Sequence, residues 1–166
     1  MRTVTVKLKQ ELSKRYYLFV KYYILFCIGF CTYSIIEILF RGYTYFTMGV
    51  TGGIAFLIVD QINNRISWNL DILIQGCIGS IVVTLLELII GSYCIHNNLP
   101  LMWDYSSMPL NYNGIICLPF SLIWIVLSIV SIMVADLINY YIFEEEPCPY
   151  YKLFGQKIIK YSEKRK

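Results

Sequence analysis

Two carboxylates stand inside long apolar runs of this chain. Glu37 is followed by Arg41 at i, i+4 with the acid first, the favourable order for an ion pair along one helix face. Glu87 has Gly91 at the matching place, so no basic partner is written into its own helix. A charged side chain at membrane depth costs about 2.5–3.5 kcal/mol when central, so each acid predicts either a function or a compensating partner. For Glu87 three arrangements are open: Arg41 serves both carboxylates, Glu87 is protonated, or Glu87 holds a cation. The second cluster of chemically capable residues is "MWDYSSMPLNYNG", residues 102–114, which lies between two apolar stretches and contains no Lys or Arg. Trp103, Tyr105 and Tyr112 are expected at the headgroup level, as interfacial aromatics are. Asp104, Ser106, Asn111 and Asn113 are expected to supply hydrogen bonds over the Glu37, Arg41 and Glu87 cluster. Asp, Ser and Asn also stabilise turns, so a purely structural cap is the competing reading. Glu37, Arg41, Glu87, Trp103, Asp104, Tyr105, Ser106 and Asn111 are therefore the candidate substrate-binding or gating residues.

Other chemistries find little support. Asp60 and Asp136 each open an Asp-x-Ile-Asn run where a span ends, and they are expected to be either solvated or helix-locking acids. His96 is the one histidine, and with Asp104 and Ser106 it supplies the letters of a hydrolase triad without any ordering in their spacing. Cys27 and Cys31 share a helix face, but two thiols without His or carboxylate neighbours are too few for a zinc site. No Gly-x-x-x-x-Gly-Lys-Ser/Thr phosphate loop, Gly-x-Ser-x-Gly elbow or His-Glu-x-x-His pair occurs. The sequence thus predicts no enzyme, no cofactor, no metal site and no nucleic-acid partner.

The elements that must position these residues follow from composition. Of 166 residues, 57% are hydrophobic and 15% charged, where a soluble domain carries about a quarter charged. Lipid is the expected solvent. Four stretches approach or exceed the roughly 20 apolar residues that cross a bilayer, near residues 17–40, 45–60, 72–93 and 115–140. The net charge is +3, and its distribution says more than its sum. Lys7, Lys9, Lys14 and Arg15 precede the first span and Lys21 stands in its opening turns, Arg65 sits between the second and third, and six basic residues follow the fourth. Between the first and second spans there is only Arg41, and between the third and fourth none. By the positive-inside rule both termini are cytoplasmic and residues 102–114 face outward. The first apolar run is too long for a signal-peptide core and is read as a retained helix. The expected organisation is one transmembrane domain over 1–166: a cytoplasmic amphipathic N-terminus (1–16), a four-helix bundle (17–140) and a cytoplasmic basic tail (141–166). Pro147 and Pro149 stop the last helix, and the aromatic, basic tail suits an anionic headgroup layer or solvent.

A shift of 50 residues lays Ile24, Cys27, Ile28, Gly29 and Glu37 on Ile74, Cys77, Ile78, Gly79 and Glu87. IVDQIN (58–63) likewise matches VADLIN (134–139), so the halves read as tandem hairpins in one orientation. Small residues recur at helical spacing in Gly76, Ser80, Thr84, Glu87 and Gly91, and again through Ser121, Ser128, Ser131 and Ala135, with Trp124 the large exception. Such stripes let membrane helices approach closely. Pro119, placed five residues into a fourth helix that begins near Ile115, predicts a bend.

"TLLELIIGSYCIHNNLPLMWDYSSMPLNYNGIICLPFSLIW" carries a resemblance through Thr84, Glu87, Gly91 and Trp103 to Ser106, continuing at Pro109, Asn111, Gly114, Ile116, Cys117, Leu118, Ser121 and Trp124. With "IIEILFRGYTYFTMGVTGGIAF" and the tail "FEEEPCPYYKLFG", the chain resembles the putative ABC-transporter permease family, type IV (CmpB-type), over most of residues 24–155. That resemblance implies a small bacterial multi-pass protein of the cell membrane, a permease-like component for a small polar or cationic solute. It also implies a separate ATPase subunit to supply energy, and self-association, since four spans enclose little space alone. The alternative is a membrane-embedded adaptor or assembly factor that transports nothing. The expected fold is all-α: a polytopic bundle of four transmembrane helices in two tandem hairpins, with an ordered extracytoplasmic loop between helices 3 and 4.

Overall fold

The computed structural model describes residues 2–163, with side chains from residue 12 onward. The side chains of Lys7 and Lys9, and Lys164, Arg165 and Lys166 of the expected basic tail, lie outside the described residues. The elements are α1 (Arg2–Arg41), α2 (Phe46–Arg65), α3 (Ile72–His96), β1 (Asn111–Tyr112), β2 (Ile116–Cys117), α4 (Leu118–Tyr141), β3 (Tyr150–Leu153) and β4 (Gln156–Lys160). Four helices are long and apolar enough to cross a membrane, over Leu12–Arg41, Phe46–Arg65, Ile72–His96 and Leu118–Tyr141. α1 continues from Arg2 through residue 16 without a break. Four crossings put both chain ends at one pole, here the tail pole; the other, the loop pole, carries residues 97–117.

The helices stop and start for local reasons. α1 ends at Gly42, whose φ of +83° suits glycine and whose N–H caps the Ile38 carbonyl at 2.8 Å. α3 starts at Asp71, whose carboxylate accepts the Leu73 N–H at 3.0 Å, the usual N-cap arrangement. α4 starts at Leu118 directly after β2, which places Pro119 in its first turn, where the missing N–H would be unpaired in any case. The bend expected at Pro119 is therefore replaced by an ordinary helix start.

α1 packs along α2 and α3 along α4, while α2 joins the two hairpins through α4 and α3. Backbone approach requires glycine at equivalent places in both. A Cβ on Gly29 would lie 2.5 Å from Phe56 Cβ and 2.9 Å from the Gly52 carbonyl oxygen. A Cβ on Gly79 would lie 2.5 Å from Ser128 Cβ. These are the two glycines that the 50-residue shift superposes.

The tail adds a feature beyond the four helices. β3 and β4 form an antiparallel hairpin around Phe154 and Gly155, both at positive φ, as two-residue hairpin turns require. Tyr150 and Lys152 of β3 donate to Asn69 Oδ1 at 3.1 and 2.8 Å, and Lys152 bridges Asp71. Tyr151 is fully buried among Val59, Ile62, Ile72 and Ile132. The segment is thus docked under the bundle through β3, with Tyr151 as its buried anchor, while β4 stays exposed.

Gly29→Val should lower the thermal unfolding midpoint of the detergent-purified protein, because the added carbons meet backbone that cannot rotate away. Overpacking of this kind costs about 1–3 kcal/mol. An unchanged midpoint would mean that the α1–α2 contact is looser than described.

Candidate functional site

The loop pole is built around two buried acids. Glu37, in the last turns of α1, pairs with Arg41 at 2.9 Å and accepts the Thr44 hydroxyl at 2.6 Å. Arg41 also donates to the Met102 carbonyl at 2.7 Å, fastening the end of α1 to the loop. Glu87, on α3, takes the Tyr105 hydroxyl on Oε1 at 3.0 Å and the Trp124 indole N–H on Oε2 at 3.1 Å. Of the arrangements left open by the sequence, a single arginine shared by both acids is not adopted: each acid has its own donors. Each Glu87 oxygen is matched by a neutral donor from a different segment, one from the loop and one from α4.

The loop delivers its donor by alternation. Residues 103–105 belong to no helix or strand, and their burial alternates: Trp103 and Tyr105 are buried against the bundle, while Asp104 is exposed. Trp103 is 7% exposed and donates its indole N–H to the Ile115 carbonyl at 2.7 Å. Tyr105 stacks on Phe120 with ring centroids 4.5 Å apart. Both residues are therefore buried wedges and not the headgroup anchors expected of them; Tyr112 is exposed. Burial, and then the Glu87 carboxylate, push the Tyr105 phenol well above its ordinary 10.0, which keeps it an O–H donor.

Asp104, Ser106 and Asn111 give no hydrogen bond to Glu37, Arg41 or Glu87; they are exposed and hold the loop itself together, although Asp104 also borders a cavity beside Glu37 and Arg41. Asp104 Oδ1 accepts both the backbone N–H of Ser106, at 2.8 Å, and its hydroxyl. Those bonds hold the Asp104 carboxyl below its usual range. Asn111 donates to the carbonyls of Ser106 and Met108 and accepts the Gly114 N–H. Gly114, at φ +68°, returns its carbonyl to Tyr105 N–H at 2.8 Å. The physical reason is size: these short side chains find backbone partners within a few residues, as turn formers do.

Beneath the loop lie two cavities, of about 210 and 330 Å³, the first walled by all four helices and the second mainly by α1, α4 and the loop. Tyr33, Ile36, Met48, Trp103, Trp124 and Leu127 line both. Glu87 lines the first, while Glu37, Arg41, Asp104 and Tyr105 line the second. The Tyr33 and Trp124 ring centroids are 6.2 Å apart. Sequence reasoning missed Tyr33 and Trp124 as pocket walls, although a lone Trp in a stripe of small residues was the available sign.

Of the two roles open to Asp60 and Asp136, the structure adopts the helix-locking one. They are 1% and 5% exposed, not solvated, because α2 continues to Arg65 and β3 covers the tail pole. Asp60 Oδ1 accepts Asn139 Nδ2 at 2.6 Å, and Asp136 Oδ2 accepts Asn63 Nδ2 at 2.6 Å. The two Asp-x-Ile-Asn runs exchange partners across α2 and α4. Nearby, Lys21 is 3% exposed and is held by both oxygens of Glu145 at 2.7 and 2.8 Å.

Four apolar helices, glycine-mediated packing and buried acids matched by donors from other segments define a polytopic helical membrane protein. The family model described as putative ABC-transporter type IV matches residues 25–158, and the chain belongs to that family. No curated protein and no solved structure matches it.

Tyr105→Phe removes one donor from a buried carboxylate, which costs about 1–3 kcal/mol and should lower the unfolding midpoint at neutral pH. A phenol whose pKa is raised by folding contributes stability that is present below pH 10.0 and lost as pH rises above it. The alkaline loss of stability should therefore be smaller in Tyr105→Phe than in the parent; equal losses would separate Tyr105 from Glu87.

Proposed function

We propose that the protein is a permease-like component of a membrane transporter, and that the pocket below the loop takes a small cation carrying apolar groups. One observation carries this reading: Glu87, 6% exposed, sits in the wall of a cavity lined mainly by Tyr33, Phe56, Trp103, Trp124 and aliphatic side chains, with Thr32, Thr51, Ser128 and Ser131 its other polar residues. A carboxylate among aromatic faces favours an alkylammonium-type cation, attracted by charge and by the ring quadrupoles together. Glu37 is neutralised by Arg41, so Glu87 is the acid that leaves a formal charge for the solute. The pocket's outer rim includes the exposed Ile36, Ile123 and Val130, which favours entry from the side, between α1 and α4.

The family description supports a role in transport, and with no phosphate loop in this chain a separate ATPase subunit would supply the energy. In its most apolar stretch α1 is only 11% buried, which leaves an outward face for lipid or for a second copy of the chain. We place the tail pole, with Lys21, Arg65, Lys152, Lys157 and Lys160, on the cytoplasmic side of a bacterial cell membrane, and the loop outside. The proposal is of a binding and transport component and not of an enzyme. An adaptor would keep a flat small-residue face free for its partner. Gly29, Gly52, Gly53, Gly76, Gly79 and Gly91 are instead used inside the bundle, which favours the pocket reading.

Tetramethylammonium, titrated into the detergent-purified protein, should change tryptophan fluorescence saturably, since Trp103 and Trp124 flank Glu87. The near-isosteric Glu87→Gln should abolish the response while keeping helical circular dichroism. A response that is absent in the parent, or unchanged in the variant, contradicts the proposal. In the same mild-detergent preparation an ATPase subunit is the expected companion, and its absence removes the nucleotide-driven form.

A further inference from the structure

We infer that Asp60, Asn63, Asp136 and Asn139, where α2 crosses α4 at the tail pole, form a site for one monovalent alkali cation. This goes beyond the pocket reading and does not depend on it. All four residues are at least nine-tenths buried, at 1%, 5%, 5% and 5% exposure. Each carboxamide gives its nitrogen to the carboxylate of the other hairpin at 2.6 Å, which fixes the plane of the group. Each carboxamide oxygen, Asn63 Oδ1 and Asn139 Oδ1, is then left buried without a hydrogen-bond partner. A buried acceptor with no donor costs about 1–3 kcal/mol, and here it occurs twice, at equivalent places in the two hairpins.

The missing partner must be a donor or a cation, and the charges favour a cation. Asp60 and Asp136 are close enough to repel, and the basic group acting on both, Lys21, is itself engaged by both oxygens of Glu145. Two buried carboxylates, each tied to the asparagine of the other helix, thus share one lysine whose charge is already matched. Gln61 and Asn64 also donate to Asp60, and Tyr151 donates to Asp136 at 2.8 Å, but none of these donors is charged. A cation held by carboxylate and carboxamide oxygens relieves the repulsion and satisfies the orphan acceptors at once.

The donor set selects the class. It is all oxygen, which suits hard ions and not the soft or borderline metals bound through Cys and His. Among the described residues no trio of His, Cys, Asp or Glu gathers as a metal site. Mg2+ dehydrates reluctantly and keeps several waters, which does not suit a quartet closed over by the fully buried Tyr151.

The test uses the full chain in nanodiscs of neutral lipid at constant ionic strength, exchanging choline chloride for NaCl or KCl. The unfolding midpoint should rise saturably with Na+ or K+ relative to choline, and 23Na NMR of the parent should show saturable line broadening. In Asp60→Asn with Asp136→Asn, half-saturation should shift by about tenfold or more. Identical midpoints in NaCl, KCl and choline, a response to Ca2+ alone, or an unshifted titration in the double variant would each overturn the site. Because the NMR arm uses the parent chain, a variant that fails to fold does not rescue the inference. Tetramethylammonium binding at Glu87 is a separate readout, so either site can fail while the other stands.

Discussion

A carboxylate buried in a helix bundle whose outside is lipid has no water to fall back on. Its donors must come from the chain, and helices that run parallel to it offer few. The structure meets this constraint by reaching across elements. Glu87 on α3 is held by Tyr105 from the loop and by Trp124 from α4, and Asp60 and Asp136 are held by asparagines of the opposite hairpin. Because lipid tails offer helices no hydrophobic drive to associate, such polar ties and the glycine contacts of Gly29 and Gly79 set the register of the bundle. The loop owes its order to the same rule, since an unfolded loop would leave one Glu87 oxygen without its phenol.

The two poles use the constraint differently. At the loop pole the donors leave Glu87 in the wall of a cavity, with aromatic faces around it. At the tail pole the donors close over the acids, Tyr151 sealing them from below, and two amide oxygens are left over. An open acid suits an organic solute and a closed one suits a bare ion. The proposed solute pocket and the proposed ion site are then chemically distinct, and the apolar middle of the bundle separates them.

Much of the fold was legible from composition, because four apolar runs need no tertiary knowledge. The paired Glu37 and Arg41 were legible too, since i, i+4 spacing is a local property. The choice between the two roles of Asp60 and Asp136 was not legible because their depth depends on where α2 ends, and α2 runs one turn beyond the apolar stretch that announced it. The β3–β4 hairpin was hidden by its lysines, which read as a headgroup-binding tail, although Phe154-Gly155 between alternating residues was a turn signal. Trp103 and Tyr105 were seen, but whether an aromatic faces lipid headgroups or the bundle is set by how the loop folds back, and helical periodicity does not report it. Pro119 was assigned a bend because the apolar run begins before the helix does.

The account stands on Glu87 and Tyr105 acting as a unit. A double-mutant cycle combining Glu87→Gln and Tyr105→Phe, followed by unfolding in detergent, measures that coupling directly. A shared buried hydrogen bond predicts an interaction energy of about 0.5–3 kcal/mol. Effects that add within about 0.3–0.5 kcal/mol would mean that the two side chains are independent, and the loop would then have no hold on the acid beneath it.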